Sequence, residues 1–378
     1  MDNAFPNGDG AARPAGPRVV VAPDSFKGSA TAADAARAIA GGWASVRPFD
    51  ELVLRPMADG GEGTLDAFAA AVPGAERRPV VVAGPAGAEH TAEWLLLPDG
   101  TAVVELAATS GLTLLDRPRP LDASTRGFGE AIGAALEAGA ERLLLALGGS
   151  GSTDGGTGAL TALGARFLRA DGEPIAPGGG GLVELARVEL DGLRALPPGG
   201  ATILGDVTNP LLGADGAAAV FGPQKGADAD TVARLELGLT RLAEATPGGD
   251  ALAAAAGAGA AGGTGFALLA WGARMRGGAA AVAEAIGLDA ALDGARIVIT
   301  GEGRYDRQSA AGKAPSEVAA RAAATGVPVA LVAGRIDAET SAFRAAASLS
   351  SLAGSGARAM ADPLAWLRAA GVELARAR

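Results

Sequence analysis

The chain has no cysteine and a single histidine, His90. Disulfides, thiolate nucleophiles and cysteine metal sites are thereby excluded. A zinc centre built on several imidazoles is ruled out as well, and a Ser-His-Asp triad would have to rest on His90 alone. His90 stands at the entrance of a short strand pattern, where a solvated ring is expected. Positive charge is short too: 32 Lys and Arg against 42 Asp and Glu give a net charge of −10. With no basic stripe anywhere, this argues against nucleic acid as a partner. No window of about 18 apolar residues is free of glycine and charge, so no membrane span is expected. Met1 to Gly16 is Pro/Gly-rich without an apolar core. It reads as a disordered tail rather than a signal peptide, and a cytoplasmic protein is the expectation.

What the chain has in quantity is glycine, 59 of its 378 residues, in a sequence that is 49% apolar. That length predicts two domains, each with its own core. The glycines gather where apolar runs end. Arg142 to Leu147 is a run of strand length that breaks into Gly148-Gly149-Ser150-Gly151-Ser152-Thr153-Asp154-Gly155-Gly156, and a helical pattern follows from Thr157 to Phe167. Such a loop collects backbone N–H groups and the positive end of a helix, which suits anions, with Ser150, Ser152 and Thr153 as further donors. Asp154 is either a helix N-cap or a carboxylate that holds a metal ion or a substrate hydroxyl.

The same arrangement recurs. Arg18 to Ala22 ends at Pro23-Asp24-Ser25-Phe26-Lys27-Gly28, where Asp24 and Lys27 mark a strand edge or pair with each other. Glu51 to Arg55 leads to Asp59-Gly60-Gly61-Glu62-Gly63, whose carboxylates suit Mg²⁺, substrate hydroxyls or a helix start. Ala201 to Gly205 ends at Asp206, a charge that needs a partner, followed by Asn209 and then Lys225 within Gly222-Pro223-Gln224-Lys225-Gly226. Lys225 is a candidate phosphate or carboxylate ligand, or a solvated loop lysine. Arg296 to Thr300 ends at Gly301-Glu302-Gly303-Arg304-Tyr305-Asp306, with Lys313 opening the next helix. Between Pro79 and Leu112 short strands alternate with Gly84-Pro85-Ala86-Gly87 and Pro98-Asp99-Gly100, which is hairpin chemistry. Ala251 to Gly265 is low-complexity Ala/Gly, read as packing without chemistry.

The βα units at both ends predict one sheet shared between them, interrupted by the middle of the chain, with ligands in the cleft. Known phosphate fingerprints fail. Gly312-Lys313 is followed by Ala314, and no Gly-x-Gly-x-x-Gly follows a strand. The inventory of lysines, N–H groups and carboxylates nonetheless matches what phosphoryl transfer to a small hydroxylated acid needs.

Five of these blocks, in this order, resemble the bacterial glycerate kinases: 22–29, 57–64, 148–156, 206–211 with 222–226, and 300–304 with 312–315. The resemblance extends over nearly everything after residue 17. It implies an α/β protein of two domains. One is flavodoxin-like, its parallel sheet split between 17–70 and 288–378; the other, 71–287, is mixed α/β with antiparallel hairpins. It also implies transfer of the ATP γ-phosphoryl to D-glycerate, usually giving 2-phosphoglycerate, with Mg²⁺ as cofactor; a homo-oligomer is compatible with it. The site it marks gives Lys27, Asp206 and Asp154 as catalytic, the two aspartates also as metal ligands. Asp24, Ser25, Asp59, Glu62, Glu302, Arg304, Asp306 and Lys313 would meet substrate, with Arg304 on its carboxylate. Gly149, Ser150, Gly151, Ser152, Thr153, Asn209 and Lys225 would cradle phosphates. Arg307 departs from the pattern, where a small hydroxyl residue is expected. Rival readings are a kinase for another small hydroxy acid and a non-catalytic anion-binding protein on the same fold.

Overall fold

The computed structural model describes residues 16–26, 28–306 and 313–377. Lys27, Arg307 and Gly312 lie outside the described residues. A five-stranded sheet contains β1 (Arg18–Pro23), β2 (Glu51–Leu54), β11 (Ile297–Tyr305), β12 (Val329–Ile336) and β13 (Ala345–Ser348) in the order β13-β12-β11-β1-β2. All its pairs are parallel, with Val20 opposite both Val298 and Val53. Counted along the chain this is the 2-1-3-4-5 order of flavodoxin-like sheets.

A six-stranded sheet holds β3 (Glu76–Ala83), β4 (Glu89–Leu96), β5 (Thr101–Glu105), β6 (Arg142–Ala146), β9 (Ala201–Leu204) and β10 (Arg274–Arg276), ordered β10-β9-β6-β5-β4-β3. Its β3-β4 and β4-β5 pairs are antiparallel and the others parallel. β7 (Arg166–Leu168) and β8 (Arg187–Glu189) form a separate small pair. The hairpin chemistry of Pro79 to Leu112 thus holds. The helix expected to run from Thr157 to Phe167 stops at Ala162, because Gly164 takes φ +109 and Arg166 enters a strand.

Both sheets are covered on both faces, which explains their near-continuous apolar runs. In β1, Val19 and Val21 pack with Ile39 and Trp43 of the helix Ala32–Val46 and with Leu367 and Leu374 of the helix Pro363–Arg376. Val20 and Ala22 point the other way, into a layer made of the helices Thr64–Ala71, Gly278–Ala285 and Ala314–Thr325. That layer is also the cover for the second sheet. Phe68, Val282 and Val318 share one core with Leu95, Val103, Leu144 and Leu204. The opposite face, Val104, Leu143, Leu145 and Ile203, packs with Phe128, Leu160, Leu239 and Phe266. The result is five layers, helix–sheet–helix–sheet–helix, with the carboxyl ends of both sheets bordering one opening. Among the described residues no helix is long and apolar enough to cross a membrane.

Candidate active site

The opening is a cavity of about 1180 Å³. Its wall is built from Glu105 at the end of β5 and from the loops after four other strands: β1 (Ser25, Ser29), β2 (Asp59 to Gly63), β6 (Leu147 to Ser150) and β9 (Gly205 to Val207). Loops at the carboxyl ends of parallel strands are where open α/β sheets take ligands. Two of these loops touch through backbone alone. Gly148 N–H donates to Gly60 C=O at 2.9 Å, and a Cβ on Gly148 would strike Gly61 Cα.

One side of the cavity is acidic. Asp59 accepts from Gly61 N–H at 3.0 Å. Asp206 accepts from Gly278 N–H at 2.8 Å, at the start of the helix Gly278–Ala285, and Gly278 also lies against the backbone of Asp59. Asp206 opens to the cavity, but the cleft strips enough water from it to push its carboxyl above the ordinary 3.8. The charges of Asp59 and Glu317 push the same way, against the amides of Gly278 and Ala279. Glu105 is buried and accepts from Gly63 N–H at 3.1 Å and Leu65 N–H at 3.0 Å. Gly63, left-handed at φ 89, offers the helix Thr64–Ala71 no side-chain cap, so a carboxylate from the other sheet supplies one. Burial raises the Glu105 carboxyl, its two amides oppose this, and Asp66 and Glu62 add to the rise.

Facing this is Lys225, buried, with Nζ donating to Ser150 Oγ at 3.2 Å and to Ser152 C=O. Burial lowers its pKa from 10.5 to about 8, while the negative charge of Asp154 holds it up. Phe221 and Gln224, four and one residues before it, share the cavity wall, as does Lys313.

Of the residues marked by the sequence, Ser25, Asp59, Glu62, Gly149, Ser150, Asp206, Lys225 and Lys313 line this cavity. The others among the described residues stand elsewhere. Asp154 is fully buried away from the cavity and accepts from Thr125 N–H and Oγ1, both at 2.8 Å, Gly156 N–H at 3.0 Å and Gly158 N–H at 3.3 Å. It anchors the starts of two helices. Ser152 and Thr153 are fully buried within the loop, and Gly151 is locked by an N–H bond to Ser110 C=O. Asn209 turns its amide to Asp215 C=O at 2.8 Å. Arg304 is exposed and reaches Asp337 at 2.8 Å and Asp306 at 3.9 Å, an ion cluster on the surface. Glu302, within β11, and Asp24, directly after β1, are buried. His90 is no wall residue: Nε2 meets Ala108 C=O at 3.0 Å.

Glu105, Phe221 and Ala260-Ala261 are among the wall residues that went unread in the sequence. Glu105 carried the same signal as Asp206, a charge ending an apolar run. The Ala/Gly segment carried none.

The glycerate kinase family model matches residues 19–378. The chain belongs to the glycerate kinase family. It is 44% identical over 332 residues to a glycerate kinase of Bacillus subtilis (strain 168), covering 86% of this chain and 87% of that one. With a glycerate 2-kinase of Escherichia coli (strain K12) it shares 42% identity over 328 residues, 84% and 85% of the two chains. A crystal structure assigned as glycerate kinase 2 of Salmonella typhimurium LT2 superposes with a TM-score of 0.84 at 39% identity, covering 95% of this chain and 97% of the other. The protein is therefore an enzyme of the kinase class, on the α/β fold seen in that relative.

Proposed function

We propose that this enzyme transfers the γ-phosphoryl group of ATP to a hydroxyl of D-glycerate, giving 2-phosphoglycerate, in the cavity between the two sheets. The observation that carries the proposal is the division of the wall: a buried ammonium with a hydroxyl and glycine N–H groups on one side, two opposed carboxylates on the other. Transfer through a loose transition state asks mainly for such positioning and charge neutralisation.

Lys225 and the loop Gly149-Ser150 would hold phosphate oxygens, and Phe221 offers an aromatic face for the purine. The residues fit Mg²⁺. Asp59 and Asp206 are hard oxygen donors whose charges repel across the wall. That is the pattern of an ion that takes one or two carboxylates and completes its shell with water and phosphate. When bound there, Mg²⁺ would neutralise charge on the β- and γ-phosphates. Glycerate would then lie towards Ser25, Glu62 and Lys313, with Lys313 on its carboxylate. Its hydroxyl oxygen bonds to the γ-phosphorus as the bond to the β–γ bridging oxygen breaks; ADP leaves, and the hydroxyl proton passes to water in the open cavity.

An ADP-coupled assay with ATP, Mg²⁺ and a panel of small hydroxy acids tests this. D-glycerate should be turned over most efficiently, and adding enolase without a mutase should give phosphoenolpyruvate at once. ADP release with another acid alone would reassign the substrate; binding without ADP release would reduce the protein to an anion binder.

A further inference from the structure

The low-complexity stretch behind the phosphate loop adopts an uncommon backbone. Ala261, Gly262 and Gly263 are left-handed in succession, at φ/ψ of 53/42, 66/34 and 91/2. Ala261 is the one non-glycine residue at positive φ among the described residues. Left-handed alanine is sterically disfavoured, and such strain persists only where surroundings impose it. Here the surroundings are the cavity wall. Ala261 lines it, and its C=O accepts from Ser150 Oγ at 3.4 Å and Thr264 Oγ1 at 2.8 Å. Gly262 C=O accepts from Gly155 N–H at 3.0 Å, tying the turn to the far end of the phosphate loop.

Gly262 occupies a particular place in this turn. A Cβ there would run into the Ser152 carbonyl oxygen, lie 2.7 Å from Thr153 Cα and sit 3.0 Å from Lys225 Nζ. The bare Cα is thus packed against the ammonium and against one of its two acceptors. A lysine ammonium has three N–H donors, of which Ser150 Oγ and Ser152 C=O take two.

We infer that Gly262 is a positioning residue for Lys225: its bare Cα is the floor that holds the ammonium on Ser152 and Ser150 and leaves the third N–H for a phosphate oxygen in the cavity. The inference rests on the reading of Lys225 as a phosphate-binding group. The same seat keeps the lysine dehydrated, which accounts for a pKa of about 8, with Asp154 the one charge acting on it.

The test compares Gly262→Ala, Gly263→Ala and Lys225→Met, each assayed for thermal stability, for separate Michaelis constants of ATP and glycerate, and for turnover against pH. Gly263 has a comparable backbone, φ +91, but its Cβ would meet Gly155 Cα at 2.9 Å and not the lysine. Gly262→Ala should lower kcat by about 10²-fold, as a displacement of roughly 1 Å does at a reacting centre. It should also move the alkaline limb of the pH profile upwards, because a displaced ammonium regains water. Gly263→Ala should lose stability while keeping the limb where the wild type has it. A Gly262→Ala enzyme with the wild-type limb and turnover overturns the inference, provided Lys225→Met is inactive; an active Lys225→Met overturns the underlying reading instead. Should Gly262→Ala not fold, wild-type protein labelled with ¹⁵N-lysine decides. Slowly exchanging Nζ protons that titrate near 8 support the seat, and rapid exchange with an ordinary lysine titration overturns it.

Discussion

Lys225 shows how one residue couples stability to chemistry. Its ammonium is buried with two neutral acceptors, so folding weakens its hold on the proton. Between about 8 and the ordinary 10.5, the unfolded chain carries more protons than the folded one, and stability must therefore rise with pH across that window. Below about 8 the full cost of the buried charge is present. Lys225→Met should abolish this rise, read as unfolding free energy at the two ends of the window. The same substitution should lower kcat by about 10²-fold or more, since it removes a charge that faces the transferring group. A variant that is both flat with pH and fully active would show that the lysine is structural only. Lys225 was legible in the sequence as a candidate because a lysine among glycines is conspicuous. Its burial was not, because the residues that enclose it, Ser150, Ser152 and Gly262, are 75, 73 and 37 positions away in the chain. Arg304 shows the mirror image. It reaches Asp337, which directly follows the neighbouring strand β12, at a separation of 33 residues that spacing alone does not report.

At the scale of elements, the apolar runs that end in charge located β1, β6, β9 and β11 and the loops after them, because both sheets are covered on both faces. Two helix starts were harder to read, since carboxylates far away in the chain serve them. Asp154 reaches the helix Arg126–Glu137 through Thr125, and its own helix Thr157–Ala162 through Gly156 and Gly158. Asp154→Ala strands these buried donors, each worth about 1–3 kcal/mol when left unsatisfied. The expected outcome is a loss of thermal stability of several kcal/mol by denaturant unfolding, with Mg²⁺ dependence unchanged in whatever folds. A shift in the Mg²⁺ requirement would restore it as a ligand. Glu105 does the equivalent work for the helix Thr64–Ala71 from across the two sheets. Its carboxyl holds its proton more tightly folded than unfolded, so its contribution falls as pH rises from the ordinary 4.5 through the raised value. Glu105→Gln should erase that slope and, because one amide oxygen serves one N–H well, cost about 1–3 kcal/mol near neutrality. Denaturant curves at acid and neutral pH compare the two proteins directly.

For the whole molecule, the shared helical layer decides how the chain unfolds. A division into 17–70 with 288–378 and an inserted 71–287 places Phe68 in one unit and Val103 in the other, yet both lie in a single core with Leu95, Leu144 and Leu204. Cutting the chain there would expose four apolar side chains of the second sheet, at about 1.5–3 kcal/mol each, or roughly 6–12 kcal/mol together. That is comparable to the entire stability of a typical domain, about 5–15 kcal/mol. The intact enzyme should therefore melt in one calorimetric transition, its calorimetric and van't Hoff enthalpies agreeing, although it is built on two sheets. A fragment of residues 71–287 expressed alone should lack a cooperative transition. Two resolved transitions in the full chain, or a fragment that melts as sharply as the whole, would mean that the middle layer belongs to one sheet. The cleft would then join two independent bodies. A single transition instead means that the walls carrying Lys225 and Asp59 are held by one core, so their separation is fixed by packing before any substrate arrives.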